Sequence, residues 1–116
     1  AADGLLFPSV KEGWGLVVLE AMASGLPVLT SDIPVFKEYL QDEENAIMVN
    51  AEDVSSIALG IEKLATDAEL KQLLTSSGPG TAALYSWQTA SKAHLEQYYD
   101  LLSAKSKPVA SEKMLK

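Results

Sequence analysis

Between Gly4 and Thr30 the chain sets two short apolar runs either side of a glycine-bearing loop and one helical stretch, and few architectures accept that order. Gly4-Leu5-Leu6-Phe7 is continuously apolar and closes at Pro8-Ser9, the pattern of a strand covered on both faces. Leu16 to Ser24 is rich in good helix formers and meets Gly25, the residue type that most often follows a helix. Pro27-Val28-Leu29-Thr30 reads as a second strand with proline at its first position, where it is tolerated.

The same alternation continues. Ser31-Asp32 offers a cap and Pro34 suits the first turn of a helix to about Leu40. Gln41 to Asn45 reads as a solvated acidic turn, and Ala46-Ile47-Met48-Val49 as a third strand. Val54, Ile57, Ala58, Ile61 and Leu64 recur at helical spacing, as do Leu70, Leu73 and Leu74, with Asp53 and Asp67 where N-caps belong. Ser77-Gly78-Pro79-Gly80 is expected to break the helix, and Ser86-Trp87 to open a last amphipathic helix to about Ser103. Trp87 reads there as an apolar anchor and His94 as a packed residue of the stripe. Residues 104–116 are expected to form a mobile tail. Strand–helix–strand–helix–strand predicts an α/β fold with a parallel sheet and right-handed crossovers. Three strands are few for such a sheet, and the chain is expected to be a fragment that opens in mid-fold.

Composition narrows the chemistry. Cysteine is absent, which excludes disulfides and thiolate metal sites. The net charge of −7 and the absence of a long apolar run argue against nucleic acid and a membrane span. All nine basic residues are lysine, so the planar fork that best grips a diphosphate is missing and any phosphate would rest on backbone N–H groups.

Ligands of open parallel sheets bind beyond the carboxyl ends of the strands, where Pro8 to Trp14 and Thr30-Ser31-Asp32 would lie. Gly13 and Gly15 let the backbone turn and approach a ligand closely. The amides of Gly15, Leu16 and Val17 open a helix with unpaired donors and a partial positive charge, an anion site suited to a diphosphate. Glu20, one turn into that helix, can accept hydrogen bonds from a diol such as ribose. Glu12 can do the same for a sugar on the other side of the phosphates. The dinucleotide fingerprint fails, because Val18 stands at its third glycine, and no Gly-Lys-Ser/Thr completes a P-loop. An ordinary strand–helix turn with two surface glutamates is the competing reading.

Glu12-Gly13-Trp14-Gly15-Leu16-Val17-Val18-Leu19-Glu20-Ala21-Met22-Ala23-Ser24-Gly25-Leu26-Pro27-Val28 resembles the E-x7-E segment of retaining, nucleotide-sugar-dependent glycosyltransferases with two Rossmann-like domains, the GT-B architecture of glycosyl transferases group 1. Phe7-Pro8-Ser9 before it, the acidic turn and third strand after it, and Ser86-Trp87 before the last helix are similar too, so the resemblance covers residues 1–103. It implies a partial Rossmann-like sheet of about three strands with flanking helices and a helical C-terminal half. Residues 1–103 would be the C-terminal part of a donor-binding domain whose N-terminal acceptor domain is missing.

The resemblance also implies roles. Glu12 would contact the transferred sugar and act in catalysis by stabilising charge at the anomeric carbon. Trp14 would shape the donor pocket beside Gly13, the amides of Gly15, Leu16 and Val17 would hold the distal phosphates, and Glu20 would bind the ribose. It implies no metal and no cofactor beyond the nucleoside diphosphate sugar itself, a cytoplasmic setting, and only peripheral membrane association of the parent enzyme. Two departures stand out. The family's upstream arginine and lysine have no counterpart here, Lys11 being a poor match, and Asp32-Ile33-Pro34-Val35 replaces a common glycine pair. Glu38 reads as a surface helix residue, although a family glutamate follows that loop. The isolated chain could instead be a non-catalytic nucleotide-sugar-binding or interaction module, or an α/β piece with no surviving ligand site.

Overall fold

The computed structural model describes residues 2–105, which divide into two compact units between Leu84 and Tyr85. In the first, β1 (Leu5–Phe7), β2 (Val28–Ser31) and β3 (Ile47–Val49) form a parallel sheet in that order. Leu5 pairs with Val28 and Leu29 with Ile47, so all three carboxyl ends share one edge. The second unit contains α5 (Trp87–Lys105), with Ser86 as its cap: Thr89 N–H donates to Ser86 Oγ at 3.1 Å. Among the described residues of this unit no second element accompanies α5, and Trp87 is exposed. Ala104 and Lys105 continue the helix past Ser103, and the rest of the expected tail lies outside the described residues.

Sheet periodicity explains the two cores. Val28 and Leu29 are adjacent, so their side chains leave opposite faces of β2. Val28 joins Val18, Leu19 and Met22 of α1 (Leu16–Ala23) and Phe36 of α2 (Pro34–Lys37). Leu29, Ile47 and Val49 join Leu64 of α3 (Val54–Thr66) and Leu70 and Leu74 of α4 (Ala68–Ala83). Every residue of β2 is buried, as expected of a central strand covered on both faces. Asp53 and Asp67 cap α3 and α4 as their positions predict, accepting from Ser55 N–H at 2.9 Å and Leu70 N–H at 3.0 Å.

Several local expectations are corrected. Ser31 belongs to β2 and caps nothing; Ile33 is the N-cap of α2, without a side-chain bond. That helix is one turn, ending at Lys37. The larger difference is α4, which runs through Ser77-Gly78-Pro79-Gly80 without a break. Pro79 removes one intrahelical donor, a cost of roughly 3 kcal/mol in an unsupported helix. Tertiary contact offsets it. Leu70, Leu74 and Ala82 are buried, and Gly78 lies so close to α1 that a Cβ there would sit 3.1 Å from the Met22 carbonyl oxygen.

The acidic turn is exposed from Gln41 to Glu44 as expected, but Asn45 is partly buried and tied into the fold. Asn45 Nδ2 donates to the Tyr39 carbonyl at 3.0 Å and to Thr81 Oγ1 at 3.2 Å, while its Oδ1 accepts from Gln41 N–H at 2.7 Å. Ser77 Oγ donates to the Glu44 carbonyl at 2.9 Å. Asn45→Ala is therefore expected to lower stability by about 2 kcal/mol through groups left without partners, read as a shift of the urea midpoint at constant slope. Lys63 Nζ donates to Glu43 Oε1 at 2.8 Å, and that bond holds the ammonium above its ordinary value of 10.5. A raised folded-state value means the contribution is present below that pH and lost as pH rises through it. The pair is half exposed, so its effect is small.

Candidate functional site

Residues 8–15 follow β1 at the carboxyl edge of the sheet, where β2 also ends beside them at Ser31. Two hydroxyls fasten this loop from below. Ser31 Oγ donates to the Ser9 carbonyl, and Tyr39 Oη donates to the Trp14 carbonyl at 3.0 Å. The Trp14 and Tyr39 rings lie 5.1 Å apart, and Tyr39 meets Phe36 edge-on at 6.3 Å. Within the loop, Ser9 Oγ donates to the Lys11 carbonyl at 2.9 Å.

Gly15 turns the loop into the helix. It has φ 86° and ψ 49°, the left-handed region that costs an L-residue about 1–2 kcal/mol. A Cβ there would also lie 2.6 Å from Phe36 Cε1 and 2.9 Å from Tyr39 Oη. Gly13 differs from expectation, because its φ is not positive and a Cβ would meet nothing within 4 Å. Only Gly15 is demanded by the turn. At the other end of α1, Gly25 takes φ 77°, and its N–H and that of Leu26 return to the carbonyls of Met22 and Ala21 at 3.0 Å.

The Gly15 carbonyl accepts from Val18 N–H at 3.0 Å and Leu19 N–H at 3.3 Å, so the first amide engaged in α1 is that of Val18. Gly15, Leu16 and Val17 are the donors ahead of it, and among the described residues their N–H groups take no partner. Leu16 and Val17 are exposed, and α1 has no side-chain cap to compete for this end. The eight residues of α1 direct a partial positive charge at the same place.

The two glutamates differ in setting. Glu12 is half-buried and its Oε1 accepts from Gly13 N–H at 3.2 Å, which folds the carboxylate over its own loop. Glu20 is exposed on the fifth residue of α1, and its carboxylate has no partner among the described residues. Thus the structure gathers Glu12, Gly13, Trp14, Gly15, Leu16 and Val17 in one continuous loop and helix start, with Glu20 one turn further along α1. Sequence reasoning missed the supports beneath: Ser31, Phe36 and Tyr39. The spacing Phe36-x-x-Tyr39 was the only local signal, since their contacts lie 21 to 25 residues away.

This arrangement is an open shelf of donors rather than a cavity. The cleft of about 470 Å³ elsewhere in the first unit lies against β3 and α3, lined by Asp42, Met48, Ser56, Leu59 and Lys63 among others, and includes none of these residues. An enclosed volume is the usual default for a ligand site. Here the chemical signal is three amides without partners, joined by the positive end of α1 at an accessible strand-to-helix turn.

Comparison with known proteins places most of the chain in one family. The family described as Glycosyl transferases group 1 matches residues 1–79. D-inositol 3-phosphate glycosyltransferase of Corynebacterium urealyticum is 32% identical over 101 residues, 87% of this chain and 24% of that protein. Phosphatidyl-myo-inositol mannosyltransferase of Mycobacterium leprae is 29% identical over 108 residues, 92% of this chain and 29% of that protein. Among solved structures, sucrose-phosphate synthase from Thermosynechococcus elongatus superposes with a TM-score of 0.79 at 29% identity, covering 89% of this chain and 26% of that one. The chain thus spans about a quarter of the length of the curated relatives it matches.

Proposed function

The chain belongs to the glycosyl transferases group 1 family, and from that premise we propose that the longer protein to which it contributes transfers a sugar from a nucleoside diphosphate donor to an acceptor with retention of anomeric configuration. In this reading residues 1–103 are the C-terminal part of the donor-binding domain, and an acceptor domain supplies the opposite wall. One observation carries it: three unpaired amides at the head of α1, with a carboxylate on either side of them in sequence. Gly15, Leu16 and Val17 take the distal phosphates. Glu20 accepts from the ribose hydroxyls, and Glu12 with Gly13 and Trp14 faces the transferred sugar, the segment Glu12–Glu20 serving as the E-x7-E motif.

Each role follows from charge and position. The diphosphate is anionic and leaves with its electrons, so donors aimed at it in advance stabilise the departing group. The anomeric carbon gains positive character as the bond breaks, and the Glu12 carboxylate stabilises that charge without having to accept a proton. Retention then requires that the acceptor arrive on the face the nucleotide leaves, so this wall holds both groups in register. The names of the two curated relatives share transfer of a sugar and differ in acceptor, so we carry over the transfer and leave the acceptor to the rest of the longer protein. No described helix is long and apolar enough to cross a membrane; we place the enzyme in the cytoplasm, with membrane contact only peripheral.

Glu20→Ala in the longer enzyme tests the ribose assignment. A charged hydrogen bond to a diol is worth roughly 1.5–3 kcal/mol, so donor affinity or the transfer rate should fall at least tenfold. Unchanged kinetics would sink the assignment. A second reading applies to the 116 residues alone. They contain no arginine and present an open shelf, which favours weak donor binding without turnover; sugar transfer by the isolated chain would exclude that reading.

A further inference from the structure

The Trp14–Gly15 peptide is held at one end only. Its carbonyl accepts the Tyr39 hydroxyl at 3.0 Å, while the Gly15 N–H takes no partner among the described residues although Gly15 itself is buried. The described chain has no cis peptide bond, and a trans peptide puts its C=O and N–H on opposite sides of the C–N bond. Fixing the carbonyl on Tyr39 therefore fixes the amide in the opposite direction, away from the Tyr39 hydroxyl. A bonded carbonyl also polarises its own peptide, which strengthens the N–H as a donor.

Tyr39 is well built for this. It is 6% exposed, its ring is braced by Trp14 and by Phe36, and its own carbonyl accepts from Asn45 Nδ2 at 3.0 Å. Phe36, fully buried, sits beneath the Gly15 Cα and leaves the turn no room to sink. The loop is thus set before any ligand arrives, so binding does not have to order it.

We propose that Tyr39 is a positioning residue of the donor site: through the Trp14 carbonyl it aims the Gly15 N–H at the donor diphosphate. The inference rests on the donor reading given above. It makes a distinctive prediction, because an effect exerted on the phosphate must be the same for every ligand that carries one.

The test is Tyr39→Phe in the full chain, which keeps the ring and removes only the hydroxyl. Binding of inorganic pyrophosphate, a uridine diphosphate sugar and a guanosine diphosphate sugar is measured by calorimetry on wild type and variant, at equal folded fraction by circular dichroism. All three affinities should fall by the same factor, about fivefold, the loss of one hydrogen bond's alignment. The Gly15 amide resonance should shift in the ligand-free variant while ring-current-shifted resonances around Trp14 stay in place. Equal affinities in the two proteins would overturn the inference and leave the donor reading standing. A loss confined to the sugar-bearing ligands would overturn it too, by moving the role from phosphate to sugar. No binding by wild type to any probe would overturn the donor reading and this inference together. If Tyr39→Phe fails to fold, wild type still decides: on adding pyrophosphate the Gly15 amide proton must move downfield, and its remaining still would overturn the proposal.

Discussion

Glu12→Gln in the longer enzyme is expected to lower the rate of sugar transfer about a hundredfold, some 2.7 kcal/mol of barrier, with the fold unchanged. The fold has little stake in the charge. Glu12 is half-buried in a loop, and its Oε1 accepts only from the neighbouring Gly13 N–H at 3.2 Å, which a glutamine oxygen can also do. What glutamine cannot supply is negative charge opposite the anomeric carbon as the leaving group departs. Interactions made only in the transition state appear in kcat and kcat/KM alike, so both should drop while KM stays near its original value. Initial rates over a range of donor concentrations check this, with thermal melts to show equal folding. A kcat within threefold of wild type would remove Glu12 from the catalytic role.

Gly15→Ala should produce the largest loss of stability. The left-handed backbone costs alanine about 1–2 kcal/mol. The added Cβ would stand 2.6 Å from Phe36 Cε1, and Phe36 is fully buried, so it has nowhere to go. A total of about 3 kcal/mol is expected, roughly a 12–24 °C fall in Tm for a unit this size. Gly13→Ala is the matching control. With no positive φ and nothing within 4 Å of its Cβ, it should leave Tm within a degree or two and still weaken donor binding, because the methyl projects into open space on the loop. Two glycines one residue apart thus separate the scaffold from the site. Equal melting behaviour in the two variants would contradict this division.

Much of this was legible in the residues because the signals are local. Short apolar runs bounded by Pro8-Ser9 and Gln41–Asn45 gave the strands, and Asp53 and Asp67 announced their helices by the amides two and three residues on. Gly25 ends α1 through bonds to Ala21 and Met22, all within one turn. What failed were readings that needed distant partners. Ser77-Gly78-Pro79-Gly80 looks like a breaker until Met22 is placed against Gly78, more than fifty residues away in sequence, and then the glycine becomes the reason two helices can touch. The turn from Gln41 to Glu44 is solvated as its composition says, but the bonds of Asn45 to Thr81 and to the Tyr39 carbonyl cannot be assigned from spacing.

The donor loop shows both sides of this. Its donors and carboxylates stand within nine consecutive residues, from Glu12 to Glu20, and could be read directly. Its supports could not. Ser31, Phe36 and Tyr39 come from the second strand, the one-turn helix after it and the turn that follows, and only the crossover brings them to the loop. Half of the site is therefore a sequence motif and half is topology.

In the proposed enzyme the head of α1 receives the phosphates of a nucleotide sugar. Amide chemical shifts of the chain, followed during titration with uridine and guanosine diphosphate sugars to roughly 10 mM, address it residue by residue. Saturable shifts are expected at Gly13, Gly15, Leu16 and Val17, reversed by excess of a competing nucleoside diphosphate and abolished for the ribose-dependent part by Glu20→Ala. Saturation at the cleft between β3 and α3 with those four amides unmoved would contradict it.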